Sequence, residues 1–166
     1  MRSPVRIRAA RADDAPVLAA AWEEFGRYYA EIDPARFTVP SPEGLTDWVA
    51  SCLDEAGEDE AWLLAEDDED FLGYVKASIR RPNANAGRAV MRDATRIMLT
   101  IDALIVREPV RRRGIGTALL RAAESWGRAN GASALFLSTS ADSSSALLFY
   151  EAVGYERVSI GFSTSL

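Results

Sequence analysis

Between Ile101 and Thr117 the chain passes from an apolar run, Ala103-Leu104-Ile105-Val106, through Arg111-Arg112-Arg113 into Gly114-Ile115-Gly116, where an amphipathic stretch opens. A strand that is apolar along its whole length belongs in the middle of a sheet covered on both faces. At the mouth of the following helix, unpaired N–H groups point outward with the positive end of the dipole, and glycines let an anion approach them. The same letters also fit a solvated arginine turn with glycines easing a strand-to-helix junction. Two phosphate motifs are excluded by spacing. Gly116 is followed by Thr117-Ala118 and not by the Lys-Ser/Thr pair of a P-loop, and Leu119 stands where a dinucleotide fingerprint needs its third glycine.

The rest of the chain supplies partners for this strand. Val5 and Ile7 alternate with Arg6 and Arg8 as a short strand, and Asp13 or Asp14 then caps a helix with Pro16 in its first turn and Leu18, Trp22, Phe25 and Tyr29 on one face. Asp33-Pro34 and Pro40-Ser41-Pro42 break the chain before a second helix carrying Leu45, Trp48, Val49, Cys52 and Leu53. Ala61–Ala65 and Phe71–Ile79 read as a hairpin around the acidic turn Glu66–Asp70. Arg81–Thr95 reads as a mobile loop and Arg96–Val106 as the central strand. Gly114–Asn130 is a helix stopped by Gly131, Ala134–Thr139 a strand, Ser143–Ala152 a helix closed by Gly154, and Tyr155–Ser163 a last strand. The order β-α-α-β-β-β-α-β-α-β predicts an α/β (α+β) fold, a mixed sheet with helices on both faces, in one domain over 1–166.

The composition narrows the chemistry. Net charge is −6, which disfavours nucleic acid and suits a cationic ligand. Cys52 is the sole cysteine and there is no histidine, so neither a disulfide nor a zinc site is expected; Cys52 reads as a small buried hydrophobe. No apolar run has the length of a membrane span and the N-terminus lacks a signal-peptide core, so the expected location is cytoplasmic, away from the membrane.

With these residues in view, the sequence resembles the GNAT superfamily of N-acetyltransferases. Its turn signature Arg/Gln-x-x-Gly-x-Gly/Ala is met by Arg111 to Gly116, with the frequent upstream proline as Pro109. Its second signature, Asn-x-x-Ala-x-x-x-Tyr-x-x-x-Gly-Phe, aligns with Ser143, Ala146, Tyr150, Gly154 and Tyr155. The likeness is strong from Thr100 to Arg157 and weaker before. It implies a GNAT-like, mostly antiparallel sheet, acetyl-CoA as co-substrate without a metal, and an amine as acceptor. It also implies that backbone groups of Leu104, Ile105 and Val106 face pantetheine where two strands splay, while amides of Arg112, Arg113, Gly114, Ile115, Gly116 and Thr117, with the Arg111–Arg113 charges, hold the pyrophosphate. Ser143 departs from the family's Asn; it either contacts the cofactor or caps the following helix.

For catalysis, Tyr150 is the candidate acid for the departing thiolate. Asp102 is either a general base whose basicity is set by burial or a carboxylate that binds a cationic acceptor, and Thr100 could position a water from the same strand face. Trp22, Tyr28 and Tyr29 resemble the acceptor-side wall of such enzymes, while their apolar stripe also fits plain core. The expected reaction is direct acetylation of a small primary amine. A peptide N-terminus or lysine, or a non-catalytic acyl-CoA sensor, are the alternatives. The resemblance also makes a homodimer plausible.

Overall fold

The computed structural model describes residues 4–164. Nine regular elements follow in order: β1 (Arg6–Ala9), α1 (Ala15–Ile32), α2 (Leu45–Glu55), β2 (Glu60–Glu66), β3 (Phe71–Arg80), β4 (Met98–Val106), α3 (Ile115–Ala129), β5 (Ala134–Leu137) and α4 (Ser144–Ala152). The five strands lie in sequence order in one sheet. β1 to β4 are antiparallel neighbours, and β5 joins β4 in parallel, as a crossover through α3 requires.

One face of the sheet is covered by α1 and α2, where Leu18, Ala21, Leu45 and Val49 pack on Trp62, Leu64, Tyr74, Ala103 and Ile105. On the other face Ile115, Leu119, Leu120 and Ala123 of α3 pack on Ala65, Val75, Ala77, Leu99 and Ile101. Phe149 and Val153 of α4 join this second layer.

Strict alternation along β4 would put Leu99, Ile101, Ala103 and Ile105 on one face, yet the first two belong to the α3 layer and the last two to the α1/α2 layer. The register explains the switch. Lys76 of β3 faces Ala103 and Ala77 faces Ile101, so Asp102 is the extra residue of a β-bulge.

Two expectations need correction. Tyr155–Ser163 forms no strand; Val158, Ile160 and Phe162 are exposed and pair with no neighbouring strand. Asp14 stands at the N-cap of α1, but its side chain makes no cap bond. It is taken by Arg8 at 2.7 Å and by the Arg11 N–H at 2.7 Å, while Arg8 also reaches Glu66 at 2.9 Å. This knot ties the start of α1 to the β1–β2 edge, and the Asp14 hydrogen bonds hold the Arg8 guanidinium pKa above its ordinary value. Residues 81–97 join β3 to β4 as a loop that contains two 3-10 turns, Ala86–Arg88 and Arg92–Thr95, the first entered through the Asn83 side chain accepting the Asn85 N–H at 2.8 Å.

Candidate active site

β4 and β5 pair only from Met98/Ala134 to Ile101/Leu137. Beyond that point β4 runs on to Val106 while β5 has ended, so the strands part and Leu104, Ile105 and Val106 have β3 as their only partner strand. A parallel pair that opens in this way leaves backbone donors and acceptors bare on one side.

The opening continues into the turn. Arg112 has φ 64° and Gly114 φ 80°, a left-handed conformation that costs an L side chain and costs glycine nothing. The first N–H to find a backbone acceptor after this turn is that of Ala118, bonded to Gly114 O at 2.9 Å. Among the described residues the N–H groups from Arg112 to Thr117 therefore have no hydrogen-bond partner; they lie at the N-terminus of α3, a set of donors suited to a dianionic group. Gly116 keeps the floor low: a Cβ there would stand 3.3 Å from the Phe149 ring and 3.5 Å from Val106 Cγ2.

These features form one cleft of about 380 Å³. Its β4–α3 wall is made by Leu104, Ile105, Val106, Arg111, Arg112, Gly114, Ile115, Gly116 and Thr117, and the facing wall by Glu24, Phe25, Tyr28 and Tyr29 of α1 with Ser143, Ser145, Ala146, Phe149 and Tyr150. Of the residues singled out in the sequence, Asp102, Thr100, Trp22 and Arg113 are absent from this lining; the cofactor candidates Leu104–Val106, Arg111, Arg112, Gly114–Thr117 and Ser143, with Tyr28, Tyr29 and Tyr150, belong to it. Arg113 is exposed, and its charge is felt at Asp67 in the β2–β3 turn. The guanidinium of Arg111 instead folds inward: Nε donates to Val106 O at 3.0 Å, Nη2 lies 3.8 Å from Glu24, and the group sits 5.7 Å from the Tyr28 ring centre.

Ser143 is fully buried and occupies the N-cap of α4 without a side-chain cap bond. Its hydroxyl meets Tyr28 Oη at 3.1 Å, and the same phenol reaches Ser145 Oγ at 2.8 Å. Tyr29 Oη contacts Thr139 Oγ1 at 2.9 Å. α1 is thus fastened by adjacent tyrosines to the start of α4 and to the segment leaving β5. Glu24, Ser145 and Phe149 were not singled out by sequence reasoning, and Phe25 was placed only on the apolar stripe of α1; such a stripe marks a buried face but not where that face runs out over a cleft. Trp22 packs against the α1/α2 core and stacks on Phe25 at 5.4 Å, away from the cleft lining.

Tyr150 lies on the cleft wall, with its ring 5.2 Å from Phe149 and 6.1 Å from Tyr155. Burial pushes its phenol up to about 12, with a smaller contribution from Tyr29, so it carries its proton throughout the neutral range.

Asp102 sits outside this lining on a polar half of the α1/α2 face. Register places Glu60, Ser78, Thr100 and Phe136 in one row across four strands, with Lys76 and the bulged Asp102 beside it. Asp102 is exposed, where the sequence suggested an apolar setting, and accepts a bond from Ser78 Oγ at 3.2 Å. Its pKa is raised by loss of solvation, opposed by Ser78 and by the Lys76 charge. Lys76 stands 3.7 Å from Glu60 and 5.1 Å from the Trp62 ring centre, and Thr100 Oγ1 is buried without a hydrogen-bond partner among the described residues. Cys52 is half-buried in α2, remote from the cleft lining. Among the described residues no group of three or more potential ligands could hold a metal, and no helix is long and apolar enough to cross a membrane.

Against known proteins, residues 18–155 match the family model described as the acetyltransferase (GNAT) family. No curated protein matches the sequence. A mutant protein from Bacillus halodurans superposes with TM-score 0.79 at 21% identity, covering 97% of this chain and 99% of its own. A putative acetyl transferase from Pyrococcus furiosus gives 0.72 at 21% identity over 98% and 100%. An aminoglycoside N-acetyltransferase in complex with CoA gives 0.72 at 17% identity over 100% and 97%. At these identities the likeness is one of fold.

Proposed function

The chain belongs to the GNAT acetyltransferase family, and from that premise we propose that it transfers an acetyl group from acetyl-CoA to the primary amine of a small molecule. The observation that carries this reading is the edge of β4 left without a partner strand from Leu104 to Val106, together with the N–H set of Arg112–Thr117 at the start of α3. A diphosphate fits the second part, where donors and the helix dipole point together. An extended amide-bearing arm fits the first, where one edge of β4 is open. Acetyl-CoA supplies an acyl thioester, already activated for attack by an amine.

The chain's own residues account for the remaining requirements. Tyr150 Oη keeps a proton on the cleft wall, the state needed to hydrogen-bond or protonate a leaving sulfur. Asp102 and Glu60, on the polar half of the sheet face, attract an ammonium group, and the raised pKa of Asp102 brings it nearer to accepting a proton from it. Tyr28, Tyr29 and Phe25 close the cleft from the α1 side and limit water.

The test is release of free thiol from acetyl-CoA across a panel of small amines, peptide N-termini and lysine peptides. Turnover with small amines is the expected result. Acetylation confined to peptides moves the acceptor to a macromolecule, and binding of acetyl-CoA with no turnover on any amine makes the chain a sensor; either result overturns the proposal.

A further inference from the structure

On the sheet face that α1 and α2 cover, the buried apolar contacts end at Trp62, Tyr74 and Ala103. The next row, Glu60, Ser78, Thr100 and Phe136, belongs to neither core cluster, and Phe136 is exposed. Arg80 follows Ser78 by two residues on β3, opposite Met98, so its side chain leaves the sheet on the same face.

Four charges share this face, and they are of both signs. Lys76 is already engaged, 3.7 Å from Glu60 and 5.1 Å from the Trp62 ring centre. Arg80 is exposed and makes no ion pair among the described residues, although its charge is felt at Asp102. Asp102 has only the Ser78 hydroxyl, at 3.2 Å, as a hydrogen-bond partner. One anion and one cation are thus left for a ligand. Register fixes where that ligand would lie. Pairing of β4 with β5 ends at Ile101/Leu137, Asp102 is the next residue, and Leu104 two further on lines the cleft. A group held at Asp102 therefore stands where the strands part, at the inner end of the cleft.

We propose that the acceptor amine also carries a carboxylate, as a free amino acid does, with its ammonium received at Asp102 and its carboxylate by Arg80. The inference rests on the acetyltransfer reading and narrows its acceptor. Charge decides between amines: a polyamine meets two cations beside the two anions, whereas a zwitterion finds a partner for each of its ends. The guanidinium fork of Arg80 suits a carboxylate. Two residues of strand span about 7 Å, so both ends can belong to one molecule of amino-acid size. In the transfer the N–C bond forms as the C–S bond breaks. Of the two protons the ammonium gives up, one reaches the sulfur by way of Tyr150 and the other leaves through Asp102. The N-acetylated product keeps its carboxylate but has no cation for Asp102, which favours its release.

The test is thiol release from acetyl-CoA with amino acids, their C-terminal amides and a linear diamine. The expected kcat/KM for a free acid exceeds that for its amide by about tenfold or more, and it does so against amine basicity, since the amide gives up its ammonium proton more readily. Arg80→Met is expected to erase this preference through KM while kcat stays within about twofold, and Arg80→Lys to restore part of it, with the fold checked by circular dichroism. Thiol release in which amides or the diamine equal the acids, or a preference that survives Arg80→Met, overturns the proposal and leaves acetyltransfer standing. The comparison of acid with amide on the unaltered protein decides the matter if the variants do not fold. No thiol from any amine overturns the acetyltransfer reading and the proposal together.

Discussion

The two walls of the cleft are made of different groups. Along β4 and the start of α3 the reacting surface is main chain, the open edge of Leu104–Val106 and the N–H groups of Arg112–Thr117. Along α1 and α4 it is side chain, the hydroxyls of Tyr28, Ser145 and Tyr150 and the carboxylate of Glu24, with Ser143 buried behind Tyr28. A main-chain wall tolerates replacement of most of its side chains and fails when its conformation or its open space is lost. A side-chain wall behaves the other way, since single atoms carry its function. The first wall is suited to a ligand part that never varies, and the second to chemistry and fit.

The contrast breaks first at Gly116. A valine there carries its branch into Phe149 and Val106 and fills the floor below the donor set; the dissociation constant for acetyl-CoA is expected to rise about 100-fold, near ~3 kcal/mol, measured by calorimetry with the fold checked by circular dichroism. On the opposite wall Tyr150→Phe removes one oxygen. Its kcat is expected to fall about 100-fold or more while acetyl-CoA affinity stays within about twofold, and a variant that loses binding in step with kcat would mean the phenol serves the ligand rather than the reaction.

Asp102 gives a smaller, pH-dependent effect. Because desolvation raises its pKa, kcat/KM is expected to fall as pH drops through a value above that of an ordinary aspartate. Lys76 is one of the groups that lower that pKa, so Lys76→Met moves the acid limb to higher pH, and Asp102→Asn removes this limb with a loss of about tenfold at neutral pH. An unmoved limb in both variants leaves Asp102 without a role in proton transfer. Tyr28→Phe keeps the ring beside Arg111 but deletes two contacts to Ser143 and Ser145. Urea unfolding should show a loss of about 1–2 kcal/mol, with turnover changed a few-fold. Smallest of all is Arg113→Ala, whose exposed side chain lies off the cleft; acetyl-CoA affinity is expected to stay within about threefold.

The same division decides what can be read from sequence. A main-chain site writes its demands into residue types. Gly114 supplies φ 80°, Gly116 keeps space open, and the apolar run of β4 marks a strand buried on both faces, so this wall is visible in the letters alone. The Tyr28–Ser143–Ser145 contact joins residues more than a hundred positions apart, and no local pattern announces it. The bulge at Asp102 was hidden for a related reason. Alternation counts residues, and the extra one appears only when β4 is laid against β3. At the C-terminus the reverse occurred: Val158, Ile160 and Phe162 have the period of a strand, but period alone does not make one, and the segment ladders onto no neighbour.

The central claim is that backbone amides at the arginine-glycine corner grip the diphosphate of the acyl donor. Titration of ¹⁵N-labelled protein with CoA reads those amides one by one. The account predicts saturable shifts that are largest from Arg112 to Thr117, accompanied by Leu104–Val106 and preserved in Tyr150→Phe. Shifts that are absent, or that gather elsewhere while 112–117 stay still, would contradict it.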